Sequence, residues 1–165
     1  MKLSIIGSGR TGCACCYVCG LQSIFNEIVM IDKDEKKAIG KAIDLEQAFI
    51  LNGSNTRVKG SYDYNDIKDS DVIVITASVP HPSVKEADDA NMGVRELMLS
   101  GNRIVMDEIV SKLKKIISTD EKQPLIIMLT NPMDLILSYF MKIGNFNRKK
   151  TIGSGNLLDT ARFKY

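Results

Sequence analysis

The segment Gly7-Ser8-Gly9-Arg10-Thr11-Gly12 places three glycines in a G-x-G-x-x-G pattern between a short apolar run and a stretch of helical character. In that context each glycine has a distinct task. The first permits a tight turn, the second lets a pyrophosphate approach the backbone, and the third lets helix and sheet pack closely. The helix that follows offers free N–H donors and partial positive charge to an anion. Asp32 ends the next apolar run, 20 positions beyond Gly12. A carboxylate there can accept both ribose hydroxyls of the adenosine half of NAD, and it repels a 2′-phosphate. Lys33, Lys36 and Lys37 stand close enough in sequence to keep NADP in view. The competing explanations are a glycine-rich turn without a ligand and, for Asp32, an N-terminal helix charge of the kind Asp34 and Glu35 also supply.

Cys13, Cys15, Cys16 and Cys19 fall within seven positions. Two C-x-x-C spacings suit zinc or redox chemistry, but no second ligand pair completes a tetrahedron. Four cysteines on one helix cannot build a disulfide framework. They are expected to be reduced, small, buried residues where the first helix meets the sheet. His81 is the only histidine, and it lies between Pro80 and Pro82, where a solvated loop side chain is expected.

Elements must hold these groups in place. Leu3 to Ile6, Ile28 to Ile31, Val72 to Ile75 and Leu125 to Leu129 are short continuous apolar runs, as strands buried on both faces of a parallel sheet require. Weaker strands are expected at Thr56 to Lys59 and near Thr151 and Ile152. Ala38, Ala42, Ile43 and Phe49 recur at helical spacing, as do Leu97, Ile104, Val105, Ile109, Leu113 and Ile116, each set predicting a helix with one buried stripe. Pro132 suits the first turn of a helix over Met133 to Met141. With right-handed crossovers the β-α alternation predicts an α/β fold: a doubly wound, six-stranded parallel Rossmann sheet in order 3-2-1-4-5-6. No repeat or linker divides residues 1–165, so one NAD-binding domain is expected. Asn52-Gly53-Ser54, formally a glycosylation sequon, is expected to be a turn.

Charge narrows the partners. With 22 basic and 20 acidic side chains the net charge is +2, too little for phosphate neutralisation along nucleic acid. No run of about 18 apolar residues occurs to span a membrane. The opening Met-Lys-Leu-Ser-Ile-Ile-Gly is unlike a secretory signal, so a cytoplasmic location is expected. A small-molecule partner fits best.

Further segments extend the pattern along the chain: Ile6 to Gly12, Ile31-Asp32 with Ala42-Ile-Asp-Leu45, Asp71 to Ala77, Arg95 with Asn102, Thr130-Asn-Pro-Met-Asp134, and Ile152-Gly-Ser-Gly-Asn-Leu-Leu-Asp-Thr-Ala-Arg162. Together they resemble the L-lactate/malate dehydrogenase family of 2-hydroxy acid dehydrogenases. The resemblance implies hydride transfer between nicotinamide and the carbon of a 2-keto or 2-hydroxy acid, with NAD as cofactor. It implies that Arg95 closes over the substrate and polarises the ketone. Asn131 would hydrogen-bond the same oxygen beside the nicotinamide, and Arg162 would grip the substrate carboxylate. Asp159 would orient a catalytic histidine. Gly7, Ser8, Gly9, Arg10, Thr11, Gly12, Asp32, Asn102, Thr76, Ala77 and Ser78 would contact the cofactor, with Lys37 and Tyr64 at weaker matching positions. A homo-oligomer, dimer or tetramer, with contacts on the helix at Asp44 to Leu51, is implied for the whole enzyme.

Two departures stand out. The family's proton donor is a histidine in a Gly-Glu-His-Gly-type segment of a substrate-side domain, which these 165 residues do not contain. The chain alone is therefore expected to be inactive, and Leu158 and Phe163 to lie on apolar surface facing the missing half. The stretch from Ser78 to Arg95 is longer than in lactate or malate enzymes, lacks their substrate-reading glutamine or arginine, and is expected to be a mobile lid. An extended loop resembles the 2-hydroxyisocaproate branch and suggests a bulkier, apolar 2-keto acid. Ser78 also replaces the family's usual glycine. The alternatives are a non-catalytic NAD-binding remnant and an NAD-dependent family 4 glycosidase domain. The latter needs a metal held by Cys and His beyond the Asn-Pro strand end, where none of the cysteines falls.

Overall fold

A computed structural model describes residues 1–117 and 123–165, without the side chains of residues 157 and 158. Strands β1 (Lys2–Ile6), β2 (Glu27–Ile31), β3 (Arg57–Ser61), β4 (Val72–Ile75), β5 (Leu125–Met128) and β6 (Thr151–Gly153) form one sheet in the order β3-β2-β1-β4-β5-β6. Every pairing is parallel. This is the expected order, with strand limits moved by one or two residues. The central strands carry the continuous apolar runs, while edge strand β3 alternates exposed and buried positions, because only one of its faces is covered.

Helices α1 (Arg10–Leu21) and α2 (Glu35–Leu51) cover one face, and α4 (Val94–Ile116) and α5 (Met133–Gly144) the other. The two-residue period of a strand sorts its side chains between them. Leu3 and Ile5 of β1 pack with Cys16, Ala42 and Phe49, whereas Ile6 packs with Met106, Ile109, Leu113, Ile136 and Phe140. Helix α1 settles closely on α2: a Cβ at Gly20 would stand 2.0 Å from Phe49 Cζ. Asn52 closes α2, Gly53 takes a positive φ of 75°, and Ser54 turns inward to donate to the Gly20 carbonyl at 2.7 Å, so the Asn-Gly-Ser segment is a turn.

Three expectations need correction. Ile43 and Ile104 do not belong to buried stripes; both are exposed, because the faces of α2 and α4 toward the sheet are carried by Ala38, Ala42 and Phe49 and by Asn102, Met106, Ile109, Val110 and Leu113. The stretch from Ser78 to Arg95 is not an unstructured loop. It contains a short helix, α3 (Val84–Asp89), started by a capping box in which Ser83 Oγ accepts the Glu86 N–H and the Glu86 carboxylate accepts the Ser83 N–H at 2.7 Å. Pro132 precedes α5 as its N-cap, and the Asn131–Pro132 peptide is cis. Among the described residues no helix is long and apolar enough to cross a membrane.

Candidate cofactor and substrate site

The strand order reverses between β1 and β4, and a row of backbone hydrogen bonds continues past the strand ends to tie the loops there together. Gly7 N–H donates to the Ile31 carbonyl at 2.7 Å, Thr76 N–H to Ile6 at 2.9 Å, Asp32 N–H to Ser61 at 3.1 Å and Leu129 N–H to Ile75 at 2.9 Å. The first loop is therefore held from both sides. Gly7 has a φ of 107°, and a Cβ there would meet the Ala77 nitrogen at 2.6 Å. A Cβ on Gly12 would lie 1.9 Å from the Gly7 carbonyl oxygen. Thr76 locks the same corner by donating its hydroxyl to that carbonyl at 2.9 Å.

Gly9 differs. A Cβ there would meet nothing within 4 Å, and its φ of −74° suits any residue, so protein packing gives no reason for glycine. The space in front of it opens at the N-terminus of α1, whose first helical bond is Cys13 N–H to the Gly9 carbonyl at 2.9 Å. Among the described residues the N–H groups of Arg10, Thr11 and Gly12 have no protein acceptor, and the first turn carries no acidic residue. An anion is the natural occupant of such a helix end. These residues fit the pyrophosphate of a dinucleotide.

Asp32 stands beside this cradle. Its Oδ2 accepts from the Ser8 N–H at 2.9 Å, the Ser8 hydroxyl at 2.7 Å and Lys37 Nζ at 3.0 Å, and its Oδ1 accepts the Asp34 N–H at 3.2 Å. Burial pushes the Asp32 carboxyl up, but these hydrogen bonds outweigh it and hold the group below the usual aspartate range. A lowered value means that Asp32 stabilises the fold above its unfolded pKa, and that this contribution fades as pH falls through the lowered one. Oδ2 already has three donors, so Oδ1 is the oxygen left open to ribose hydroxyls. Lys37 is an ion-pair partner of Asp32. Tyr64 lies in a 3-10 turn, Tyr64–Ile67, half-buried against the core with Lys112 Nζ 4.7 Å from its ring centre. Burial, followed by the charges of Glu108 and Asp32, pushes its phenol upward.

On the other side of the switch point, buried Asn102 is a strut. Its Oδ1 accepts the Val79 N–H at 2.8 Å, and its Nδ2 donates to the Asn131 carbonyl at 2.6 Å. Thr130, which the sequence offers only as the start of the Thr-Asn-Pro segment and with no role of its own, adds a second tie by donating its hydroxyl to the Ala77 carbonyl at 2.8 Å. Its signal was a hydroxyl residue ending an apolar strand directly before Asn-Pro. The exits of β4 and β5 are thus one unit that leaves the Ser78 and Asn131 side chains exposed.

Arg95 lies exposed in the first turn of α4. Asp159 and Arg162 share a face of α6 (Asn156–Lys164) as an ion pair of 3.1 Å, with side chains 73% and 70% exposed, so the pair adds little to stability. The approach to α6 is close to α5: a Cβ at Gly153 or Gly155 would stand 2.2 Å or 2.4 Å from Met133 Sδ or Cε. Among the described residues no hydrogen bond or ion pair joins Arg95 to the Asp159–Arg162 pair. Phe163 is exposed, and the Leu158 side chain is outside the described residues.

The cysteines are free thiols pushed up by burial, Cys16 to about 12, so none is a ready thiolate. Among the described residues no group of three or more His, Cys, Asp or Glu side chains could hold a metal. His81 is exposed, its Nδ1 3.0 Å from the Pro82 carbonyl.

A doubly wound sheet with a glycine cradle and an acidic second strand end at its switch point defines a dinucleotide-binding protein of the Rossmann class. Comparison with known proteins narrows the class. Residues 1–153 match the family described as lactate/malate dehydrogenase, NAD binding domain, and the chain belongs to that family. The malate dehydrogenase of Pelagibacter ubique is 32% identical over 163 residues, and that of Chlorobium chlorochromatii 35% over 165. Each comparison covers 99% of this chain but 47% and 49% of the relative, so the chain spans about half the length of the curated relatives it matches. Among solved structures, the lactate dehydrogenase of Cryptosporidium parvum complexed with lactic acid and nicotinamide adenine dinucleotide superposes with a TM-score of 0.84 at 31% identity, covering 99% of this chain and 47% of that one. The malate dehydrogenase of Archaeoglobus fulgidus in complex with NADH gives 0.84 at 30% identity, covering 99% and 52%.

Proposed function

We propose that residues 1–165 are the cofactor-binding domain of an NAD-dependent L-2-hydroxy acid dehydrogenase. The observation that carries this reading is the open cradle at Gly9, with unpartnered N–H groups at the start of α1 and Asp32 beside it. Bound cofactor would supply the hydride partner, NADH as donor to a 2-keto acid and NAD as acceptor from a 2-hydroxy acid. The residues of the chain divide the remaining work. Gly7 to Gly12 receive the pyrophosphate, with Arg10 and Thr11 at the helix end. Asp32 holds the adenosine ribose, with Lys37 and Tyr64 around it. Thr76, Ala77 and Ser78 would pass along the dinucleotide, and Asn102, which holds the Asn131 carbonyl, would leave the Asn131 side chain free for the nicotinamide and the keto oxygen.

Arg95 sits at the head of a helix that can carry it toward the substrate, where a fixed positive charge stabilises developing alkoxide. Arg162 is suited to a carboxylate by its planar fork. Asp159 would leave Arg162 for a histidine outside these residues and stabilise the protonated ring. Because the one histidine of the sequence, His81, has its ring nitrogen against the Pro82 carbonyl while Asp159 pairs with Arg162, the 165-residue chain is expected to bind NADH without oxidising or reducing a 2-hydroxy or 2-keto acid. The long segment with α3 supports a bulky, apolar 2-keto acid. The test is kcat/KM of the polypeptide from the complete reading frame on pyruvate, oxaloacetate and branched 2-keto acids. Preference for the branched acids supports this substrate class, preference for pyruvate or oxaloacetate removes it, and no NADH-dependent reduction of any removes the dehydrogenase itself.

Two further outcomes are expected. Asp32→Ala is expected to weaken NADH about ten-fold and NADPH much less, read as Kd from NADH and NADPH fluorescence. The exposed side chains Ile39, Ile43 and Ile50 line one side of α2 and support a homo-oligomer. Light scattering on the complete polypeptide is expected to return a dimer or tetramer; a monomer at about ten micromolar contradicts this.

A further inference from the structure

The glycine loop contains one non-glycine residue that is fully buried, Ser8, 1% exposed beside Gly9 and Arg10, which face solvent. The Ser8 hydroxyl donates to Asp32 Oδ2 at 2.7 Å, and the Ser8 N–H joins it on the same oxygen at 2.9 Å. Lys37 Nζ is the third donor to Oδ2, at 3.0 Å, whereas Oδ1 has only the Asp34 N–H at 3.2 Å. An ionised carboxylate has about four acceptor directions in all. Oδ2 is therefore saturated, and Oδ1 keeps a free direction.

We infer that Ser8 is a positioning residue for the cofactor's ribose: it clamps Asp32 with Oδ2 turned inward and Oδ1 presented to the diol, and so sets the preference for NAD over NADP. The inference rests on the cofactor-domain reading above and deepens it. Without the hydroxyl, Asp32 retains Lys37 as its strongest partner and rotates toward it. The carboxylate then presents less charge to the ribose site and Oδ1 leaves the diol. Recognition of NADH is weakened and repulsion of a 2′-phosphate is relieved, so the two coenzymes converge. Among the described residues, the titratable groups that face Asp32 are Lys37 and Asp34 at the start of α2, Cys13 on α1 and Tyr64 from the 3-10 turn. Neither Cys13 nor Tyr64 ionises in the acid range, and the Asp32→Ala background separates Asp32 from the neighbouring Asp34 carboxylate in an acid titration of ribose recognition.

The test uses the 165-residue chain with NADH and NADPH as probes, in wild type, Ser8→Ala, Asp32→Ala and the double variant. Ser8→Ala is expected to raise the Kd of NADH about five-fold and that of NADPH less than about two-fold. In the Asp32→Ala background the same change is expected to cost less than about 1.5-fold, because a residue that acts only through Asp32 has nothing left to act on. The pH at which NADH affinity falls on acidification should move up toward the ordinary carboxylate range in Ser8→Ala. Ser8→Thr retains the hydroxyl and is expected to keep the wild-type NADH-to-NADPH ratio even if its methyl lowers Tm. Equal weakening of both coenzymes, an unchanged ratio in Ser8→Ala, or a cost that persists without Asp32 would overturn the inference while leaving the loop reading intact. A wild-type chain that binds neither coenzyme overturns both.

Discussion

Gly9→Ala and Gly12→Ala are expected to fail in opposite ways. At Gly9 the new methyl meets no protein atom within 4 Å, and the backbone is in a region open to alanine. The variant should keep its Tm within about 2 °C, since exposed substitutions of this kind cost about 0.5 kcal/mol or less. Its NADH affinity should nevertheless fall about 100-fold, because the methyl occupies the space through which pyrophosphate reaches the N–H groups of α1. At Gly12 the methyl would lie 1.9 Å from the Gly7 carbonyl oxygen, which is itself held by Thr76. Backbone cannot yield there as a flexible side chain can, so the cost is about 3 kcal/mol. For a domain of this length that lowers Tm by about 6–12 °C. The pair is read by thermal unfolding and NADH fluorescence. A Gly9→Ala chain that binds NADH normally would show that the opening is not the cofactor path, and a Gly12→Ala chain of wild-type stability would contradict the closeness of loop and helix.

The second large effect belongs to Asn102. Its amide is fully buried and satisfies two backbone groups on different strand exits, the Val79 N–H and the Asn131 carbonyl. Asn102→Ala leaves both without a partner and opens a cavity between α4 and the sheet. Each orphaned group costs about 1–3 kcal/mol, so a loss of about 2–4 kcal/mol is expected in denaturant unfolding. Asn102→Asp discriminates further. Its carboxylate can still accept from Val79, but it opposes the Asn131 carbonyl with negative charge, so stability should recover as pH falls and the carboxylate protonates. If both variants unfold like wild type, Asn102 is not the strut, and its place in the site would rest on the cofactor alone.

These two cases also mark what the sequence reveals by itself. The glycine loop and Asp32 are legible because both depend on local chain geometry: a turn, a helix start and a strand end at fixed spacing. The buried strands are legible because parallel strands covered on both faces must be apolar throughout. Residues whose role lies across the fold are not legible in the same way. Ser8 reads as one more loop residue until Asp32, 24 positions on, is seen to accept its hydroxyl. Asn102 reads only as a cofactor contact, and the tie its amide makes between Val79 and Asn131 is visible only in the fold. Ile43 and Ile104 have helical spacing with buried neighbours, yet they sit at the margin of their stripes, where a rotation of one position exposes them. The α3 helix did carry a local signal, the Ser83-x-x-Glu86 box, but Pro80 and Pro82 just before it favour a loop. Arg95, Asp159 and Arg162 are exposed side chains, and among the described residues the one tie between them is the Asp159–Arg162 ion pair, so their chemistry is proposed from the family pattern rather than from contacts.

The central claim is that the loop from Gly7 to Gly12, with Asp32, receives NAD. Its most direct test is a fluorescence titration of NADH against the purified 165-residue chain, with NADPH in parallel. The account predicts saturable binding in about the micromolar range, with NADH tighter than NADPH. A flat response to both coenzymes up to about one millimolar would contradict it.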